Sequence, residues 1–293
     1  MPHPSTSSAY GIWSLNEVRD AVRGDNWPSL PPPWSVNLSD VTYDSVNFLV
    51  SGQDATPRDI VFNTDGTKMY MVGSTSDRVY QYTLSTGFDL STASYDSVNF
   101  SVSSQDDPLG IYFNTDGTKM YMVGATNDRV YQYSLSTPFS ISTASYDSVN
   151  FSVAGQDTIP RGIRFNNEGT KMYIVGDAGN DINQYTLSTA FDLSTASFDS
   201  VTFSVSSQDT APQDLDFNED GTKMYVVGEA NDSIFQYTLS TAFDISTASY
   251  DSISFSTASQ ETVPTTVIFS NDGTKMYVLG ISTDRVYQYS TGL

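Results

Sequence analysis

The segment Phe62-Asn63-Thr64-Asp65-Gly66-Thr67-Lys68-Met69-Tyr70, a tight turn between two apolar runs, returns four more times with little change. Its glycines are Gly66, Gly117, Gly169, Gly221 and Gly273, so the steps are 51, 52, 52 and 52 residues. A strict period of this length means one supersecondary unit copied five times, each unit burying its apolar face on its neighbours. Architecture is therefore tightly constrained, whereas no group of residues has the look of a reaction centre.

Within the first unit the pattern predicts four strands: a over 58–63, b over Lys68–Gly73, c over Arg78–Leu84 and d over 95–102. Strand b, Met69-Tyr70-Met71-Val72, is apolar on both faces, as an inner strand between neighbouring sheets would be. Strand d alternates, with Val98, Phe100 and Val102 opposed to Ser97, Asn99 and Ser101, as a half-buried outer strand would. Asp65-Gly66 supplies the positive φ of the a–b hairpin. Four short antiparallel strands in about fifty residues are the signature of a β-propeller blade. The ends decide the closure. The d strand over 43–50 has no a, b or c before it, and the last unit stops after its c strand at Tyr289. The orphan is expected to complete the last blade, leaving no open edge. The reading is an all-β chain: a five-bladed propeller of four-stranded blades over 41–293, after an N-terminal anchoring segment over 1–40.

That segment begins with a flexible lead over 1–9 and continues in the one expected helix, 10–24. Ser14 and Glu17 have capping-box spacing, Trp13 and Val18 staple spacing, and Gly24 a C-terminal stop. About two turns of helix are marginal alone, so this element is expected to dock on something. A Pro31-Pro32-Pro33 spacer follows.

Comparing the units separates what a blade needs from what it does not. Phe62, Phe113, Phe165, Phe217 and Phe269 recur, as do Tyr82, Tyr133, Tyr185, Tyr237 and Tyr289, and read as packing between blades. Lys68 and its four copies follow the turn, close to its acid; D-G-T-K has too few oxygen ligands for calcium and reads as a plain turn. Each blade opens on a glutamine–acid pair: Gln53-Asp54, Gln105-Asp106, Gln156-Asp157, Gln208-Asp209 and Gln260-Glu261. These d–a loops share a face with the b–c loops, the expected ligand face, although capping of loop amides is the favoured role for the pairs. The candidate face also takes in Arg58, Asp59, Arg161 and Asp214, where the units stop agreeing. Asp216 stands where the other blades have Val61, Tyr112, Arg164 and Ile268, and an Arg164–Asp216 contact would be its structural explanation.

Composition narrows the function classes. With 34 acidic and 13 basic residues the net charge is −21, so nucleic acid is a poor partner. There is no cysteine and one histidine, His3, which removes thiol chemistry, a histidine base and a multi-histidine metal site. No cofactor or metal is expected. No apolar h-region opens the chain and no run nears the ~18 apolar residues of a membrane span, so a soluble product made in the cytoplasm is expected, without membrane insertion.

Gly11-Ile12-Trp13-Ser14-Leu15-Asn16-Glu17 with Asn26-Trp27-Pro28 resembles a G-[VI]-W-S-L-x-E…W-P segment of tailed-bacteriophage structural proteins, particularly marine and cyanophage-like ones. It covers under a tenth of the chain. The repeat, with Leu84-Ser85-Thr86 and Ser91-Thr92-Ala93-Ser94, is similar to propeller repeats of phage and marine bacterial proteins. The resemblance implies a non-enzymatic virion component, capsid-decorating or tail-associated. Trp13, Leu15, Val18, Trp27 and Trp34 would dock on other virion proteins. A multivalent glycan reader for host attachment is the alternative. A glycosidase using Asp59, Asp214 or Asp216 ranks below it, because no unique pair of carboxylates stands out. In outline the fivefold repeat is similar to tachylectin-like lectins, whose motif is absent.

Overall fold

The computed structural model describes residues 34–293, and the helix, Trp13, Leu15, Val18 and Trp27 lie outside the described residues. The compact propeller unit is Trp34–Leu293, so its boundary falls seven residues before the one expected. It consists of five four-stranded antiparallel sheets. The first blade is Pro57–Phe62, Lys68–Gly73, Arg78–Leu84 and Ala93–Ser101, each within two residues of expectation. The first strands of the blades touch one another in an unbroken ring, so strand a lines the axis.

Closure is as expected. Thr42–Leu49 pairs antiparallel with Arg285–Ser290 and completes the last blade. Its hold is chemical as well as geometric. Asp44 accepts hydrogen bonds from Lys275 at 2.7 Å, Gln288 at 2.9 Å and Ser290 at 2.6 Å. Asp96, Asp147, Asp199 and Asp251 receive the equivalent lysine in the other blades. The turn lysine thus reaches across the sheet to the d strand, not to the acid of its own turn. For each of these five aspartates burial pushes the carboxyl up, but the hydrogen bonds from lysine, glutamine and hydroxyl outweigh it and hold it below the usual carboxylate range.

Strand d does not alternate throughout. A bulge opens opposite Gln81 and Tyr82, with Ser97 at φ 59°, and the same serine position recurs in every blade. The extra residue turns Asp96 inward while Tyr95 keeps its place against Tyr82, with ring centroids 5.5 Å apart.

The core sits between blades. One cluster joins Val61, Tyr70 and Val72 of the first blade to Ile111, Phe113 and Met120 of the second. Tyr70 stacks on Phe113 at 4.5 Å, and its hydroxyl donates across to the Phe139 carbonyl at 2.5 Å. The conserved-in-repeat glutamine, absent from the expected pattern, also bridges blades: Gln288 accepts from the Leu90 N–H at 2.8 Å, and Gln132 from the Leu193 N–H at 2.9 Å. Gly66 has φ +69° and lies under the Phe88 ring, where a Cβ would collide at 2.4 Å. At Gly273 the covering ring is Trp34, which also stacks on Phe269 at 5.4 Å. Trp34 therefore belongs to the closing blade, and its ring is not free for the docking role expected of it.

Asp44→Ala removes three hydrogen bonds at the seam and leaves Lys275 without its carboxylate. It is expected to cost about 2 kcal/mol, read as a lower urea midpoint with an unchanged slope.

Candidate functional site

The residues expected to form a ligand face are placed in three ways. Asp54, Asp106, Asp157, Asp209 and Glu261 are buried, and they cap loop amides. Asp54 accepts from the Thr56 N–H at 2.8 Å and the Ser76 N–H at 3.0 Å, Asp209 from Ala211 at 2.8 Å and Asn231 at 2.9 Å. Gln53, Gln105, Gln156 and Gln208 each accept from a buried tyrosine hydroxyl at 3.3 Å, while Gln260 has no such bond and the Tyr289 hydroxyl is unpaired. The capping role accounts for these pairs. Arg58 and Arg161 stand at the d–a mouth of the axis. Arg58 donates to the Ser74 hydroxyl at 2.9 Å, and Arg161 pairs with Asp177 at 2.7 Å. Burial, and then the neighbouring Arg161 charge, hold the Arg58 guanidinium below its ordinary value.

Asp59 and Asp214 lie deeper, where strand a supplies a charged plug. Arg164 extends across the axis, donating to Asp214 at 2.6 Å and to Asp59 at 3.4 Å, with Asp216 3.9 Å from its Nε. The expected contact with Asp216 exists, but it is the weakest of three. Gly162 makes the arrangement possible, because a Cβ there would meet the Asp214 carboxylate at 2.5 Å. Asp59 also accepts from the Ile111 N–H at 2.8 Å and the Thr266 hydroxyl at 3.0 Å, tying three blades together. Burial raises the Asp59 and Asp214 carboxyls despite Arg164, since one guanidinium cannot keep three desolvated carboxylates fully ionised.

Asp216 differs from the other two. Its side chain is 17% exposed, against 2% and 1% for Asp59 and Asp214. It faces a cavity of about 350 Å³ that opens among the a–b turns, on the face opposite to the one expected. Val61, Tyr112, Arg164, Asp216 and Ile268, the same register position in the five blades, form its floor, and the strand-end phenylalanines its wall. The backbone N–H groups of Phe217 and Phe269 orient the Asp216 carboxylate at 3.0 and 2.9 Å. Burial pushes this carboxyl up to about 6, with Arg164 and the two N–H groups opposing it without cancelling it. Burial likewise raises the Tyr112 phenol, so it stays protonated and can donate a hydrogen bond at neutral pH. The arrangement offers a base that is ionised at pH 7 yet readily protonated, a phenolic donor and a fixed positive charge. No cluster of metal-ligating side chains is found among the described residues. Sequence reading singled out Asp216 from its odd register position but missed Tyr112, whose signal was the same column of five unlike residues.

Fold and site together define an axial-site propeller. The family described as "Lactonase, 7-bladed beta-propeller" matches residues 106–291, and the chain belongs to that family, with five blades here. Similar solved structures include a functionally unknown protein from Desulfotomaculum acetoxidans (16% identity, TM-score 0.48, 76% of this chain and 62% of that one). A Bacteroides uniformis protein, named for a proposed 6-phosphogluconolactonase activity, is 13% identical at TM-score 0.50, over 78% of this chain and 66% of its own. A Lactobacillus plantarum protein is 14% identical at TM-score 0.51, over 80% and 67%. At these identities the likeness is one of fold, and the chain spans about two thirds of their length. No curated protein matches. Membership of a family described as lactonases overturns the expectation of a non-enzymatic virion component, with its glycan-reading and glycosidase alternatives.

Removing the plug cation tests its electrostatics. Arg164→Met should cost about 3–5 kcal/mol at pH 7.5 by stranding buried carboxylates, and clearly less at pH 5, where they take up protons. The wild-type protein follows a related rule. Asp59, Asp214 and Asp216 are raised on folding, so the folded chain binds extra protons and loses stability as pH climbs from about 4 through their folded values, about 6 for Asp216. The five lowered d-strand aspartates, Asp44, Asp96, Asp147, Asp199 and Asp251, contribute stability above about pH 4 that is lost as pH falls through their folded values. Urea midpoints are therefore expected to peak in the weakly acidic range and to fall on both sides.

Proposed function

We propose that the chain hydrolyses lactones, cyclic esters, in the cavity on the a–b face. The observation that carries this reading is the Asp216 carboxylate, 17% exposed and raised to about 6 at the floor of the cavity, in a chain of the lactonase family. Ionised Asp216 takes a proton from water as the water oxygen bonds to the ring carbonyl carbon. The negative charge that develops on the carbonyl oxygen is met by the Tyr112 hydroxyl and the field of Arg164. When the tetrahedral centre collapses, the ring C–O bond breaks and the proton held by Asp216 passes to the departing ring oxygen, giving an open hydroxy acid. Arg164 keeps Asp216 acidic enough to be ionised at neutral pH.

The rate is expected to rise with pH along a limb of midpoint about 6, as Asp216 loses its proton. Asp216→Asn should lower kcat at least about 100-fold and abolish that limb. It should also raise the melting temperature at pH 7.5, because a carboxylate that folding makes harder to ionise is removed. Hydroxy-acid release from a panel of five- and six-membered lactones, followed by pH-stat, makes the measurement. A wild-type protein that opens none of them, or an Asp216→Asn protein as active as wild type, would sink the reading.

A further inference from the structure

Glu219 is exposed at the rim of this cavity, and its counterparts in the other blades, Thr64, Thr115, Asn167 and Asn271, are all uncharged. Three of those side chains are tied to a neighbouring blade: Thr64 donates to the Thr115 carbonyl at 3.1 Å, Asn167 to the Glu219 carbonyl at 2.7 Å, and Asn271 to the Thr64 carbonyl. Thr115 makes no such bond, and Glu219, a carboxylate with no proton to donate, makes none either and leaves its charge over the opening. At the floor lies Asp216. Among the described residues that line the cavity the one cation is Arg164, whose side chain is 3% exposed and already faces three carboxylates. Its Nε is buried without a hydrogen-bond partner on the Asp216 side, too enclosed to receive a phosphate.

A phosphate or carboxylate carried by a substrate would therefore meet negative charge at both ends of the cavity and no accessible positive charge. A neutral ring meets none of this repulsion, and Val61, Ile268 and the phenylalanine wall offer its carbon skeleton an apolar seat. We propose that the site takes uncharged lactones and rejects those bearing phosphate or carboxylate, with Glu219 as a specificity-determining residue. The hydrolytic step rests on the lactonase reading above. The charge selection does not, because binding reads it alone.

The test compares glucono-δ-lactone with its 6-phosphate on the full chain, at about 20 mM and about 500 mM salt. In parallel, the two corresponding unreactive lactams are titrated by calorimetry. The neutral lactone should have a kcat/KM at least about 30-fold higher at low salt, and the ratio should shrink as salt screens the repulsion. Glu219→Lys should cut the ratio about tenfold and Glu219→Gln about threefold. The side chain is exposed and its carbonyl is what Asn167 uses, so both variants should fold, with wild-type melting curves as the check. A 6-phosphate handled as well as the neutral lactone, or a ratio unmoved by Glu219→Lys, would overturn the selection. If neither lactone is opened while the neutral lactam binds and the phosphorylated one does not, the hydrolase reading falls and the selection stands. If neither lactam binds, the selection falls too.

Discussion

The pairing of Thr42–Leu49 with Arg285–Ser290 is the constraint on which the other contacts depend. Each blade buries its apolar faces only on its two neighbours, so an open ring would expose two such faces together with two strand edges. The seam uses the same chemistry as every other blade: a lysine, a glutamine and a hydroxyl converge on one half-buried aspartate. Two segments far apart in sequence thus behave as one blade. The tyrosine hydroxyls reaching across to neighbouring carbonyls then lock each interface in register, and side-chain bonds among the a–b turns add to three of the five.

The same closure creates the site. Five copies of strand a brought to one axis place five residues of equal register side by side, and a channel this narrow gives them a shared environment. Where the column is 59, 110, 162, 214 and 266, Asp214 finds room because residue 162 is glycine, while at Gly110 a Cβ would meet the Arg161 carbonyl at 2.7 Å. Where it is 61, 112, 164, 216 and 268, an arginine fills the middle and one aspartate is left at its edge, facing the cavity. The plug and the reactive group are parts of one electrostatic system: the arginine that seals the channel also sets the acidity of Asp216. An axis that must be blocked for stability and polar for chemistry meets both demands with one cation and three acids.

Symmetry breaking is what separates scaffold from chemistry here. Lys68 and its copies, the blade-opening acids and the c-strand glutamines are repeated, and each repeats one structural task. Asp216, Tyr112, Arg164 and Glu219 have unlike counterparts in every other blade, and they supply the polar chemistry of a cavity whose wall is the repeated phenylalanines. The blade-opening pairs drew attention in the sequence because they recur. Recurrence is the mark of packing and capping, and the caps at Asp54 and Asp209 bear that out.

The period of 51 to 52 residues, the alternation of the outer strands and the offset ends were enough to determine five blades, their strand limits and the closure, because those features are local in sequence or follow from counting. The bulge at Ser97 was not legible, since it serves an aspartate whose lysine lies 28 residues away. Nor was the side of the disc on which a ligand would sit. That depends on how deep into the axis Arg164 reaches, and on which mouth Asp59 and Asp214 draw its head away from. Such distances exist only after the ring has shut and set residues 50 and 105 apart in sequence against each other at hydrogen-bond range.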